Sequence, residues 1–150
     1  MATTVRRTVC VIDDGAIQKE LIANAAITPG MLVERMSTGK LRKHATAGGG
    51  AQRAFAIEND LEGQEVSVDI DADEICRFKV MQRGNEVYAW AATSQTLVVG
   101  DEVESAGNGF LRKHTADSAG VAAEPNSVVG IVLEACTTSG SAGRLLIEVV

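Results

Sequence analysis

Aromatic side chains are scarce in this chain of 150 residues: Phe55, Phe78, Phe110, Tyr88 and Trp90 make up 3% of it. So few rings leave no platform on which single-stranded nucleic acid could stack its bases. Proline occurs twice and cysteine three times. Cys10, Cys76 and Cys136 are an odd number with no Cys-x-x-Cys pair and no histidine nearby, which argues against both a disulfide framework and a zinc knuckle. They read as buried apolar fillers, the usual place of free cysteine. The strongest apolar stretch, around Ala89 to Ala92, falls far short of the roughly 20 residues of a membrane helix. The start, Met1-Ala-Thr-Thr-Val-Arg-Arg7, has no long apolar segment of the secretion-signal kind. The expectation is a protein made and kept in an intracellular space, or packaged there, with no membrane partner.

Positive charge is also in deficit. Fourteen Lys and Arg face 20 Asp and Glu, for a net charge of −6 and a pI near 4.9. Such a chain repels a phosphate backbone as a whole, so nucleic acid is not an expected partner. With 45% hydrophobic and 23% charged residues the composition is that of an ordinary globular protein. The length suits one domain, or one domain plus an arm, large enough for a real core.

Reaction motifs are missing too. A P-loop needs a glycine five residues before Gly39-Lys40, but Glu34 stands there, and Leu41 follows where Ser or Thr is required. Gly48-Gly-Gly50 would cradle a phosphate only at the start of a helix. No Gly-x-Ser-x-Gly or His-Glu-x-x-His occurs. Asp69-Ile-Asp71-Ala-Asp73 opens like a calcium loop, yet Glu74 replaces the sharp-turn glycine and Val80 the bidentate glutamate, so a solvated acidic edge is the better reading. The chain is expected to be no enzyme and to hold no metal or cofactor.

What is abundant is glycine, 15 residues, together with β-branched side chains and turn signals every ten or so positions. This pattern predicts a mainly β fold, a barrel or sandwich. Strands are expected at Val5 to Ile12, Met31 to Met36, Arg53 to Glu58, Glu65 to Ile70, Ile75 to Gln82, Glu86 to Ala92, Glu102 to Ser105, Ser127 to Ala135 and Arg144 to Val150. Ala16 to Ile27 fits helical and strand periods alike; we read it as a strand leading into a turn at Thr28-Pro29-Gly30. Ala45 to Ala51 and Thr137 to Gly143 should be exposed loops. Residues 1–14 form a candidate arm ahead of a β domain spanning 15–150.

Within that domain the sequence repeats itself. Gly30-Met-Leu-Val-Glu34 matches Gly100-Asp-Glu-Val-Glu104, and Gly39-Lys-Leu-Arg-Lys-His44 matches Gly109-Phe-Leu-Arg-Lys-His114, both at an offset of 70 residues. Ala56-Ile-Glu58 also faces Val132-Leu-Glu134 after a loop of different length. Two copies of one unit, about 28–59 and 98–135, predict a pseudo-symmetric barrel. The repeated basic turns, Arg42, Lys43, His44 and Arg112, Lys113, His114, hold both histidines. Imidazole next to Arg and Lys is poorly placed for a cation, so these turns read as a partner interface.

The order of Ala25-Ala-Ile-Thr-Pro-Gly-Met-Leu-Val-Glu34, His44-Ala-Thr-Ala-Gly-Gly49, Ala54-Phe-Ala-Ile-Glu-Asn59, Gly100-Asp-Glu-Val-Glu-Ser-Ala-Gly-Asn-Gly109 and Val129-Gly-Ile-Val-Leu-Glu134 resembles the head decoration, or cement, proteins of tailed bacteriophages. The resemblance spans about Ala16 to Val150. It implies a homotrimer on the outer surface of the virion, synthesised in the host cytoplasm, with the major capsid protein as partner and no catalytic residues. It also implies an arm lying across the shell, which makes Val5, Arg6, Arg7, Val9, Val11 and Ile12 the candidate capsid-binding residues, with strand addition to a capsid edge as one mode. Another virion role, such as head joining or a tail or fibre protein, and a small ligand- or metal-binding barrel are the alternatives.

Overall fold

A computed structural model describes residues 6–115 and 127–150. In chain order its strands are β1 (Cys10–Ile12), β2 (Ile17–Ile22), β3 (Val33–Arg35), β4 (Leu41–Lys43), β5 (Ala54–Ala56), β6 (Ile75–Val80), β7 (Glu86–Ala91), β8 (Thr96–Leu97), β9 (Glu102–Gly107), β10 (Phe110–Lys113), β11 (Val128–Val132), β12 (Cys136–Thr137) and β13 (Gly143–Val149). One 3-10 turn, Asp60–Glu62, is the only helical element among the described residues. The mainly β fold expected from the glycine and β-branched pattern is the fold observed.

Five strands close into a barrel in the order β7-β10-β9-β11-β13, with β13 returning to β7. Strand alternation sends Leu145, Ile147 and Val149 of β13 inward, against Val87, Ala89 and Ala91 of β7, Val103, Leu111, Val129 and Val132. The ring is antiparallel except at one joint, the parallel pairing of Leu111 with Ala91, where the Ala92 N–H also donates to the Leu111 carbonyl at 2.8 Å. β1 lies on the same edge of β7 as β10, paired at its other end through Cys10 with Val87 and Ile12 with Glu86.

A second layer packs outside the barrel. The sheet β2-β6-β5 and the hairpin β3-β4 enclose a core of Ala23, Ile27, Met31, Val33, Leu41, Ala54, Ala56, Ile70, Cys76 and Phe78. β5 is the wall between the two cores: its alternation sends Phe55 into the barrel core and Ala54 and Ala56 into the outer one. Leu32 bridges to Phe55 and also belongs to the barrel core.

Four local expectations need correction. Glu65 to Ile70 is no strand; it is a run of turns in which only Ile70 bridges, to Ile27. Its Val66 carbonyl is taken by the Arg144 guanidinium at 2.6 Å, which leaves that acceptor unavailable to a ladder. The basic tetrapeptides are not turns: Leu41–Lys43 and Phe110–Lys113 are paired strands, and the turns lie just before them. Residues 1–14 are not a detached arm throughout, because Val9 is fully buried in the barrel core and Cys10–Ile12 pairs with β7. Thr137 likewise pairs, with Thr96, rather than opening a loop. Ala16 to Ile27 does give a strand, β2, ahead of the turn at Pro29-Gly30.

Phe55 fills both the wall and the barrel core at 0% exposure. Phe55→Ala is expected to lower unfolding stability by about 3–5 kcal/mol, the usual cost of an emptied phenylalanine site. A urea titration read by the single Trp90 would show it; a loss under about 1 kcal/mol would mean the two cores do not share this wall.

Candidate functional site

The matched stretches fold into two hairpins with one register, one outside the barrel and one within its wall. In β3-β4, Val33 pairs with Lys43, Glu34 with Arg42 and Arg35 with Leu41. In β9-β10, Val103 pairs with Lys113, Glu104 with Arg112 and Ser105 with Leu111. Each pair therefore recurs 70 positions later. Cross-strand partners on one face sit close enough for side chains to meet, so each arginine reaches the glutamate opposite it.

The result is a Glu-Arg-His cluster in each hairpin. Arg42 Nε donates to Glu34 Oε1 at 2.8 Å, and His44 Nε2 lies 3.6 Å from Glu34 Oε2. Arg112 Nε donates to Glu104 Oε1 at 2.9 Å, and His114 Nδ1 meets Glu104 Oε2 at 2.7 Å. Their surroundings differ. The Glu104 side chain is 5% exposed, that of Glu34 26%. Glu104 belongs to the barrel wall, whereas Glu34 stands on the outer hairpin.

The histidines divide in the same way. His44 is buried and stitches the hairpins together: Nδ1 lies 2.8 Å from Ser105 Oγ and Nε2 3.1 Å from the Gly50 carbonyl. A carbonyl only accepts, so Nε2 carries the proton, and in the neutral ring Nδ1 accepts from the Ser105 hydroxyl. The His44 carbonyl accepts from Gly109 N–H at 3.1 Å, and Gly48 N–H donates to the Ser105 carbonyl at 2.8 Å. A Cβ at Gly48 would stand in ordinary contact with Arg112 and Glu104, so it is the left-handed φ of 68° that calls for glycine there. Ser105, His44 and Glu34 have the order of a nucleophile, base and carboxylate. Ser105 is fully buried, however, and its hydroxyl oxygen also accepts from Gly107 N–H at 3.1 Å, so its hydroxyl fastens a loop, while Glu34 and His44 line a separate pocket of about 470 Å³ with Gly48, Gly49 and Gly50.

Of the basic residues expected to face a partner, Arg42, Arg112 and both histidines thus meet carboxylates of their own chain, while Arg42 and Lys113 keep exposed side chains. Besides the arginines, Lys113 pairs with Asp101 at 2.8 Å. Lys43 is half-buried. The acidic stretch is dispersed in the same manner: Asp69 accepts from the Thr28 hydroxyl at 2.7 Å and Asp73 pairs with Lys40 at 2.7 Å. Among the described residues no group of three His, Cys, Asp or Glu side chains converges as metal ligands would.

Of the candidate arm residues, Val5 lies outside the described residues. Arg6 pairs with Glu134, and Val9, buried, donates its N–H to Glu58 Oε2 at 3.1 Å. Val11 is half-buried, while Arg7 and Ile12 are exposed. Glu34, Glu104 and Ser105 are members of these clusters that the sequence does not single out. The two glutamates are within its reach, since each ends a repeated Gly-x-x-Val-Glu stretch at the same offset as the histidines. All three cysteines are free, and burial pushes the Cys10 and Cys76 thiols up to about 12.

No family model matches the chain, and no curated protein does. Among solved structures the fold is similar to the N base of head fibre gp8.5 in bacteriophage phi29, with a TM-score of 0.56 and 11% identity, over 90% of this chain and 94% of that one. At that identity the likeness is one of fold.

Glu104→Gln is expected to destabilise the protein by about 1–3 kcal/mol, because Arg112 and His114 lose a charge-assisted partner away from water. Glu34→Gln, more exposed, is expected to cost under about 1 kcal/mol. Equal losses in paired urea titrations would overturn the assignment of Glu104 as the structural member. The thiols make a separate expectation. At pH 8 the native protein should react with no more than a trace of a thiol reagent and release all three cysteines in denaturant, since the thiols at Cys10 and Cys76 stay protonated until pH approaches 12.

Proposed function

We propose that this chain is a structural protein of a bacteriophage head, and that it acts as a decoration protein that binds the outer shell as a homotrimer and holds neighbouring major capsid subunits together. The observation that carries the reading is the fold likeness to a phage head-fibre base along 90% of the chain. The ordered glycine-turn motifs, which resemble cement proteins, point the same way independently of fold. The folding of the two Glu-Arg-His clusters into loop fastening supports a mechanical role over a chemical one.

The mechanism on this reading is avidity. A shell pressed by packaged DNA fails where subunits part. A trimer touching several of them makes their contacts break together, so modest contacts multiply. A closed barrel suits the task, since it leaves few free strand edges to pair with neighbouring copies before docking. The net charge of −6 keeps many copies soluble. One observation favours a second reading. The neighbour is the base of a head fibre, and the corresponding role for this chain is the base on which a projecting fibre stands.

Sedimentation of the purified chain is expected to give three copies of 15.7 kDa. Particles lacking it are expected to lose DNA at a lower temperature than complete ones, and imaging should place it at many sites over the head. A fibre base would carry projecting density at those sites. Location at a single vertex, or unchanged DNA retention on heating, would defeat the decoration role.

A further inference from the structure

Arg144, on β13, is a half-buried guanidinium with no direct ion pair among the described residues; the Glu58 carboxylate acts on it only from a longer distance. It stacks on Trp90 at 4.1 Å and Tyr88 at 5.0 Å from their ring centres. Its Nη1 donates to the Pro29 carbonyl at 2.7 Å and the Tyr88 carbonyl at 3.3 Å, and its Nη2 to the Val66 carbonyl at 2.6 Å. Among the described residues no carboxylate comes within ion-pair distance of it, and no acceptor meets its Nε–H. A second guanidinium lines the same pocket. Arg6 pairs with Glu134 through Nη2, yet its Nε–H is buried with no hydrogen-bond partner. Thr28, Val66, Ser67, Asp69, Tyr88 and Trp90 complete a lining around about 390 Å³, more apolar than polar.

We propose that this pocket binds a carboxylate carried on an apolar body, with Arg6 and Arg144 as its cationic walls. The carbonyls around Arg144 satisfy donors but supply no net charge, and a desolvated cation gains most from a true counter-ion. The burial that pushes Arg144 down to about 10 is the same cost seen from the proton's side. The donors that remain on Arg144 are Nε–H and the second N–H of Nη2, whose first goes to Val66, and a planar carboxylate has two oxygens to accept from them. The volume exceeds what a carboxylate fills, and Val66, Tyr88 and Trp90 offer apolar surface for the rest of the ligand. Asp69, exposed on the lining and bonded to Thr28, disfavours a dianion more than a monoanion, which selects carboxylate over phosphate. This site stands apart from the virion reading, and neither depends on the other.

Trp90 is the single tryptophan, so the pocket carries its own reporter. The whole chain would be titrated at constant ionic strength with hexanoate, with its neutral isostere hexanamide, and with inorganic phosphate, following Trp90 fluorescence. A saturable change with hexanoate alone is expected. Arg6→Gln, checked for native circular dichroism, should weaken it by about tenfold or more, as loss of one charged hydrogen bond does. Hexanamide titrating like hexanoate, hexanoate failing to saturate, or Arg6→Gln binding like wild type would each overturn the proposal. Phosphate binding as tightly as hexanoate would replace the carboxylate by a general oxyanion and overturn its stated class. Arg144→Lys is a second variant, keeping charge but losing the fork, and should also bind more weakly.

Discussion

The parallel joint between Leu111 and Ala91 is the constraint on which the barrel depends. Four of the ring's five contacts are antiparallel ladders that hairpins or returning strands can make locally. The fifth must bring β10 alongside the end of β7, and only the last residues of β7 are available, because β1 already occupies its start. Small side chains make the approach feasible: Ala89 and Ala91 leave room for Leu111 and Leu145 in a narrow interior. With the ring closed, β13 is held in place, and with it Arg144, which reaches out of the barrel wall to the carbonyls of Pro29 and Val66 in the outer layer. Barrel closure and the docking of the second layer are therefore linked through one strand.

Gly30 shows how tight that docking is. A Cβ there would lie 2.7 Å from the Tyr88 carbonyl and press on Arg144, and the φ of 96° is a left-handed value that side chains avoid. The position 70 residues on, Gly100, has a similar φ of 92° but open space around it. The same turn is thus a buried joint in one unit and a free corner in the other, where Val98 and Val99 are exposed. The pair Glu34 and Glu104 diverges in the opposite sense, the outer member being the more exposed. Equal register with unequal surroundings arises because one hairpin joins a closed ring while the other covers it.

This division explains what the sequence discloses and what it withholds. Glycine turns and β-branched runs speak through local chemistry, so the fold class, most strands and the matched hairpins are legible. Leu41-Arg-Lys43 reads as a turn because its charges hide the strand period; its pairing depends on Glu34, eight residues before Arg42 and on the far side of a turn that a local window does not cross. Val66 loses its place in an expected strand to a guanidinium from Arg144, a partner 78 residues away. Val9 leaves the expected arm because its burial depends on a barrel that local alternation cannot report. The pocket at Arg6 and Arg144 joins the two ends of the chain, out of reach of any spacing rule.

The charge balance obeys the same logic. Most described Lys and Arg side chains are bound to carboxylates or carbonyls of their own fold, so the surplus of acid is left without internal basic partners. β2 is the long strand whose described pairings all run to one neighbour, β6, which leaves its other edge open. Ile17, Ile22 and Ile75 are exposed around it, a composition that invites edge-to-edge pairing. Lys19 and Glu20 interrupt that stretch with charge, the usual guard of a free edge. Such a guard is needed only where closure fails, and in this fold that is the outer layer and not the barrel.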